Sequence, residues 1–329
     1  MTPDMLAGNL LTNFLMPEGM MALTVDRPDS YVLRDLYTLP EHVQVEKFTE
    51  AWDMVARNNP ILRTRLIFIQ GLGTCQVVVN EQLSWHHADD LDDYLLKDRN
   101  HPMDYGTGLA RFAIIDDGKR KVFVWTVHHS LYDGYSMDMT LAAVEHAYQG
   151  TSDVLPTRPF SEFMVHLDKS DRETLRQYWT HQLRDLETSP FPLSPPGHRC
   201  QADSTVVYSV PFSLDRMCGI TMATLLKAGW AILISRLSES SDVVYGVTQS
   251  GRDLELPGIE TINGPTITTV SALLLLHRVL HQKRCLTSYV PGAFEGQGGG
   301  AGVCPRFPEA TADPGRGHDP FLPCGTPGH

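Results

Sequence analysis

Two adjacent histidines are the residues of this chain best suited to carry chemistry. His128 and His129 end an apolar, β-branched run, and Asp133 and Gly134 follow four and five residues after the second histidine. An imidazole has an ordinary pKa of about 6.5, so it can take up and release a proton near neutral pH. The spacing therefore points to a proton-transfer site on a loop that follows a strand.

The alternation of side chains along a strand favours one working histidine rather than two. One ring can face a cavity while its neighbour faces the packing side. Asp133 is close enough to fold back and fix the loop, and Gly134 permits a sharp or positive-φ turn. From the residues alone, a structural or merely exposed histidine pair stays open as the alternative. We expect no metal, because the two rings diverge and no Cys or further carboxylate stands at ligand spacing.

The elements that must position the histidines are predicted by the flanking sequence. Two alternating apolar runs surround Asp117-Gly118, a strong signal for a two-residue hairpin whose second strand ends at the histidines. After the loop, Ser136 is expected to cap a helix that ends near Gly150. Strand, histidine loop and helix would then form a rigid frame.

Strands and helices are also predicted over the rest of the chain. The first half is expected to hold a strand over 30–39, an amphipathic helix that stops at Pro60, and strands over 61–69 and 75–79. The second half is expected to hold a helix capped by Ser170 and Glu173 with Trp179 in the core, a strand over 206–210, a buried helix over 220–237 and a buried strand over 242–248.

Composition limits the class of protein. The chain has 329 residues, of which 42% are hydrophobic, enough for a large core and for two domains or lobes. The formal net charge of -12 argues against a nucleic-acid partner, because a nucleic-acid surface needs a concentrated basic face. The six cysteines show no paired spacing, so we expect free thiols and no disulfide framework.

Neither of two apolar stretches fits a targeting or membrane segment. The N-terminal 21 residues have no basic flank and contain Asp4, which makes a poor secretion signal. The run over 220–237 is interrupted by two basic residues, which favours a buried helix over a membrane span. We therefore expect a soluble, cytoplasmic protein with no membrane partner.

The segment His-His-Ser-Leu-Tyr-Asp-Gly at 128–134, followed by Tyr135 and Ser136, resembles the HHxxxDG signature of the condensation domains of nonribosomal peptide synthetases, in the form typical of fungal enzymes. Pro17 stands where that family usually has Gln. Other segments resemble further motifs of the family in the right order, namely 16–24, 59–65, 160–164, 248–253 and 264–270.

The resemblance implies a two-lobed, chloramphenicol-acetyltransferase-like α/β fold. It predicts a first lobe over 1–168 and a partial second lobe over 169–270. At Val270 the resemblance stops, and residues 271–329 form a tail rich in Gly and Pro that we expect to be disordered. This change suggests a frameshift, a retained intron or a truncated gene, and leaves the second lobe incomplete.

The resemblance also implies a reaction and roles for individual residues. In the family, two carrier proteins present thioesters on phosphopantetheine arms, and the amine of one attacks the carbonyl of the other. By that match His129 takes or orients the amine proton, and His128 packs. Asp133 holds the loop through a salt bridge to Arg63, and Gly134 allows the turn and offers an N–H to the developing oxyanion.

The second-lobe motif places Ser250, Gly251 and Arg252 at the substrate channel. Arg252 could contact phosphopantetheine, but we favour a role in capping its own loop. No cofactor is expected to be bound, because the substrates arrive on the phosphopantetheine of carrier proteins, which must come in trans.

Two other functions stay open. An incomplete second lobe would suit an inactive remnant or a carrier-binding module. A free-standing, coenzyme A-dependent acyltransferase is also possible because related families share HxxxDG, although the chain lacks a DFGWG-like sequence.

Overall fold

The computed structural model describes residues 11–12, 15–150, 157–187, 191–192, 195, 204–209 and 221–275. Strands and helices alternate over these residues. The helices are α1 (Leu15–Asp26), α2 (Val45–Asn58), α3 (Leu91–Arg99), α4 (Gly134–Gln149), α5 (Phe160–Asp168), α6 (Arg172–Gln182) and α7 (Met222–Ser238). The strands are β1 (Leu11–Thr12), β2 (Val32–Leu39), β3 (Thr64–Ile69), β4 (Gly73–Val78), β5 (Trp85–Ala88), β6 (Ala110–Asp116), β7 (Lys121–His128), β8 (Arg158–Pro159), β9 (Asp242–Gln249), β10 (Ile262–Asn263) and β11 (Thr268–Leu275).

The strand that carries the histidines lies inside a four-stranded sheet of order β2-β7-β6-β5. The predicted hairpin forms, with β6 antiparallel to β7, but its connection spans the four residues 117–120 rather than the two residues Asp117-Gly118. Gly118 takes the left-handed conformation that glycine favours, at a φ of 76°. On its other side β7 pairs antiparallel with β2, where Val32 lies opposite His128. The end of β7 is therefore held by a neighbour on both sides.

Apolar residues cover both faces of this sheet. On one face α2 inserts Trp52, which is fully buried and lies 5.0 Å from Trp125, 5.2 Å from Phe123 and 5.3 Å from Phe112 between ring centroids. On the other face α3 packs against a smaller cluster, formed by Ala113, Ile115, Val122 and Val124. Two-sided burial explains why β6 and β7 have nearly continuous apolar sequences.

The second half of the chain adds two small sheets. β9 and β11 form an antiparallel pair, and β10 runs parallel to β8, with Asn263 opposite Pro159. α7 is tied to this part by the Tyr245 hydroxyl, which donates to the Lys227 carbonyl at 2.7 Å. The strand β11 continues to Leu275, five residues past the boundary at 270 that the motifs predicted.

The prediction that the helix over 220–237 is buried is wrong. α7 forms as a helix, but Ala231 is its one buried residue. Its apolar stripe is open instead, with Leu226 64% exposed, Trp230 48% and Leu233 46%. The described residues cover this face only in part, because Trp230 borders a cavity with Phe191 and Val243 while the rest of the stripe stays open. The strand β9 is likewise only partly buried, with Val243 as its buried residue.

Several smaller predictions also need correction. The strand expected from Ile61 starts at Thr64, because Pro60–Arg63 forms a 3₁₀ turn. α6 is capped by Asp171 rather than Ser170, and it has no buried residue, so Trp179 is only partly covered. Residues 204–209 are exposed and contain no strand, while Val210 and the tail beyond Leu275 lie outside the described residues.

The described residues contain no helix that is long and apolar enough to cross a membrane. Cys75 is a free, buried thiol, and burial raises the pKa of that thiol above its ordinary value. The other five cysteines lie outside the described residues.

Candidate active site

His128, the first histidine of the pair, is fully buried and structural. Its Nδ1 accepts from the backbone N–H of Ser130 at 3.1 Å, so the proton of the neutral ring lies on Nε2 and is donated to the Thr24 hydroxyl at 2.8 Å. The Thr24 hydroxyl in turn donates to the Ser30 carbonyl at 2.6 Å. Burial, and secondarily the neighbouring His129, lower the pKa of His128 to about 4. His128 therefore ties β7 to α1 as an uncharged group.

His129, the second histidine, is presented differently. Its Nδ1 lies 2.8 Å from the Tyr132 carbonyl, which can only accept, so Nδ1 carries the proton and Nε2 keeps its lone pair. The Nε2 atom has no hydrogen-bond partner among the residues that the structure describes. The ring is partly exposed and stacks on the Tyr132 ring, while its backbone N–H donates to the Tyr31 carbonyl at 2.8 Å. The expected division into one packed and one open histidine is present.

Asp133 begins the helix that follows the loop. It is the N-cap of α4, and its side chain accepts from the Ser136 N–H at 2.8 Å while the Ser136 hydroxyl receives the Asp133 N–H. The prediction of Ser136 as the N-cap is therefore wrong, because Asp133 takes the N-cap position and Ser136 is the third helical residue of the same capping box. Gly134 is the first helical residue and lies outside the positive-φ region, so of the two turns expected at this glycine, a sharp one or a positive-φ one, the positive-φ turn is excluded.

The carboxylate of Asp133 is only 2% exposed and is held by the second half of the chain. Its Oδ2 accepts from the Thr266 N–H at 2.9 Å, and its Oδ1 lies 3.4 Å from an Arg252 nitrogen. The predicted partner was Arg63, and that assignment is wrong. The Arg63 guanidinium is used at the end of α2 and just after β4, where it donates to the carbonyls of Ala56, Arg57 and Val79.

Arg252 fastens its own loop as well as Asp133. Its guanidinium donates to the carbonyls of Ile259, Ile262 and Gly264 at 2.9–3.2 Å. It also lies over the Tyr135 ring, 4.2 Å from the centroid, in a cation–π contact. The favoured role of Arg252 in capping its own loop agrees with these contacts.

Ser250 and Gly251, the other two residues predicted at the channel, shape the same loop. The Ser250 carbonyl accepts from the Thr266 hydroxyl at 2.7 Å. Gly251 has a φ of 67°, and a Cβ there would lie 2.0 Å from the Thr266 carbonyl oxygen. The loop therefore needs glycine at 251 in order to bring Thr266 up to Asp133.

Three residues of the site were missed by the sequence analysis, namely Thr24, Thr266 and Asn263. Thr24 and Thr266 lie inside segments that resemble family motifs. Their position in those segments is the one sequence signal that could have indicated a role at the site. Asn263 is buried and donates to the Asn59 side chain at 3.1 Å and to the Thr140 hydroxyl at 3.0 Å, which joins β10 to α2 and α4. A short polar residue before a Gly-Pro pair gives no sign of such a contact.

In the described part of the chain, no group of three or more His, Cys, Asp or Glu residues could hold a metal ion. The arrangement offers one open imidazole nitrogen and the first turn of a helix beside it.

Comparison with known proteins identifies the family. The model of the condensation domain family matches residues 20–282. The chain belongs to the condensation domain family. The nonribosomal peptide synthetase dtxS1 of Metarhizium robertsii is 38% identical to this condensation domain over 263 residues, and the peramine synthetase ppzA of Metarhizium rileyi is 35% identical over 279 residues. These matches cover 79% and 83% of this chain, but only 3% and 10% of the two synthetases.

Solved structures agree on the fold. The condensation domain of the Monacolin K polyketide synthase MokA has a TM-score of 0.60 at 15% identity, over 81% of this chain and 68% of that one. The epimerization domain from the third module of tyrocidine synthetase B has a TM-score of 0.64 at 14% identity, over 82% and 70%. The predicted chloramphenicol-acetyltransferase-like α/β fold is confirmed. The division into lobes at 168 stays a prediction, and the family match continues beyond the boundary predicted at 270.

Proposed function

We propose that this condensation domain forms an amide bond between an acyl or aminoacyl thioester and an amine, both presented on carrier proteins. The observation that carries the proposal is the Nε2 of His129, which has no hydrogen-bond partner in the described part of the chain and whose ring is fixed through Nδ1 on the opposite side. A ring held in this way presents a lone pair in one direction. That geometry suits a group that takes a proton from an attacking amine or orients that amine.

The bond changes follow from this assignment. The amine nitrogen attacks the thioester carbonyl, and its excess proton passes to Nε2 of His129. The tetrahedral intermediate then collapses, the C–S bond breaks, and the thiolate of the phosphopantetheine arm leaves and receives a proton from His129. While the ring is charged, the Tyr132 carbonyl remains an acceptor for Nδ1–H. Such a positioned base contributes about 10² to 10⁴-fold to the rate.

The oxyanion of the intermediate needs a donor, and we assign it to the N–H of Gly134. The first N–H groups of a helix have no partner within the helix, and the N-terminus of the helix dipole favours negative charge. Gly134 is the first residue of α4 and lies directly after the N-cap Asp133. The Asp133 anchors to Thr266 and Arg252 would keep this N–H in place.

Carrier proteins with phosphopantetheine arms are the partners of this function, and no resident cofactor is needed for it. Condensation domains act on carrier-bound substrates within synthetases, and both relatives named above are synthetases many times longer than this chain. We propose that the carriers bind in trans and that the reaction takes place in the cytoplasm.

The test is amide formation by the chain and by its His129→Ala variant. The donor is a carrier protein charged with a panel of N-acetylated aminoacyl groups, the acceptor is a second carrier charged with free aminoacyl groups, and mass spectrometry detects the product. We expect His129→Ala to lower the rate at least about a hundredfold without unfolding the protein. His87→Ala, at an exposed position on β5, is the matched control. Equal turnover by His129→Ala and the parent chain would contradict the assignment.

The same assay separates the alternative functions. The open apolar stripe of α7 is the observation that favours a non-catalytic module. A module of that kind would retain a loaded carrier protein in a pull-down and form no amide. A coenzyme A-dependent acyltransferase would instead acylate free amines from acetyl coenzyme A without any carrier.

A further inference from the structure

One hydrogen bond and one ring stack together hold the imidazole of His129. A single bond from Nδ1 to a carbonyl fixes the distance between the two groups but lets the imidazole rock about that bond. The Tyr132 ring removes this freedom, because its centroid lies 4.7 Å from the imidazole centroid and the two planes differ by 16°. The carbonyl and the ring belong to the same residue, so Tyr132 restrains both the edge and the face of the imidazole.

The Tyr132 ring is itself supported from behind. It is partly buried and packs against the main hydrophobic core that contains Trp52 and Trp125. Its neighbour in the chain is Asp133, which Thr266 and Arg252 anchor. The only other aromatic ring recorded near His129 in the described residues belongs to Tyr31, and that ring is 6.5 Å away at an angle of 51° and is 42% exposed. Tyr31 therefore contributes its carbonyl rather than a stacking face.

We propose that Tyr132 is a positioning residue, which aims Nε2 of His129 through the combined carbonyl contact and ring stack. The inference rests on the proposed function of His129. The aromatic face is the required feature and the hydroxyl is not. Burial, and secondarily the charge of Asp35, raise the pKa of Tyr132 to about 12, so the phenol stays neutral during the reaction.

The deciding measurement needs no substrate. In long-range ¹H–¹⁵N spectra of the full chain, the two ring nitrogens of a neutral histidine can be distinguished, and the His129 signals are assigned by their loss in His129→Gln. We expect the parent chain and Tyr132→Phe to show the proton on Nδ1 alone, with ring protons shifted upfield by the stack. Tyr132→Leu should show a mixture of the two tautomers and lose the upfield shift. Tyr208→Leu removes a ring that is 84% exposed and is the matched control.

Turnover provides the second readout. Tyr132→Leu should lower kcat roughly ten- to a hundredfold with little change in KM, and Tyr132→Phe should restore most of it. The inference is overturned if Tyr132→Leu leaves the tautomer of His129 unchanged, or if the tautomer changes and kcat does not. If the parent chain forms no amide at all, the proposed function fails, while the tautomer still decides whether Tyr132 positions the ring. A second variant, Tyr132→Met, is used if Tyr132→Leu does not fold.

Discussion

The pair formed by Arg252 and Asp133 offers a quantitative test of how the histidine loop is held. Both side chains are buried, with Arg252 8% and Asp133 2% exposed, so solvent screens their charges poorly. Removing one partner of a buried pair costs about 3–5 kcal/mol. Arg252 keeps three carbonyl acceptors and Asp133 keeps N–H donors from Ser136 and Thr266, so each residue is partly satisfied without the other. We therefore expect the lower end, about 3 kcal/mol, for Asp133→Asn, and a larger loss, up to about 5 kcal/mol, for Arg252→Met, because that change also leaves the three carbonyls without their donor.

The interaction between the two residues is isolated by a double-mutant cycle. Asp133→Asn and Arg252→Met are made singly and together, and the free energy of unfolding is measured by urea denaturation at pH 7. Residues in contact give interaction energies of about 0.5–3 kcal/mol. The two charged groups are 3.4 Å apart and each keeps other hydrogen-bond partners, so we expect an interaction energy of about 1–2 kcal/mol for this pair. The double variant should therefore be more stable than the sum of the single losses predicts.

Arg63 supplies the control for this cycle. Arg63→Met should destabilise the protein through its lost contacts with the carbonyls of Ala56 and Val79. It should combine with Asp133→Asn additively, within about 0.3–0.5 kcal/mol, because the two sites share no contact. An interaction energy that is larger with Arg63 than with Arg252 would refute the assignment of the aspartate's partner.

Two further predictions concern stability at low pH and the surface of α7. The folded-state pKa of His128, about 4, lies below the ordinary value of about 6.5, so the stability it contributes is complete above pH 6.5 and is lost as the pH falls toward 4. Between pH 7 and pH 4.5 the free energy of unfolding should therefore fall by about 2–3 kcal/mol less in His128→Gln than in the parent chain. The measurement is urea denaturation at both pH values, and an equal pH dependence of variant and parent would contradict this. Replacing Leu226 and Leu233 together by Glu should lower the fluorescence of a bound hydrophobic dye, whereas Leu72→Glu, at a position 53% exposed in the β3–β4 turn, should change it little. Dye binding that is unaffected by the Leu226 and Leu233 changes would place the apolar surface elsewhere.

Local signals in the sequence were sufficient for the frame of the site. The hairpin of β6 and β7 was predicted by Asp117 and Gly118, which favour a turn, and by the alternating runs on each side of them, although the connection is longer than the two residues predicted. The helix α2 is determined by the spacing of its apolar residues and by Pro60 after its end. The histidine motif indicates the family because it is one contiguous segment, which can be recognised without knowledge of the fold.

Partners that are distant in sequence were decided only by the tertiary structure. Arg63 and Arg252 both lie inside segments that resemble family motifs, and nothing local shows which of the two is the partner of Asp133. The choice depends on which segment packs against the start of α4, and the loop that contains Gly251 and Thr266 does so. In the same way, Thr24 became the partner of His128 because α1 folds back over the end of β7.

Burial is the other property that the sequence alone could not decide. Strand alternation predicted that one histidine would be packed and one open, since neighbouring side chains point to opposite faces. The apolar pattern of α7 predicted a buried helix, yet its stripe is open in the part of the chain that the structure describes. A pattern records which face of a helix can be buried, whereas burial also needs a second surface to cover that face, and the position of that surface is a property of the whole fold.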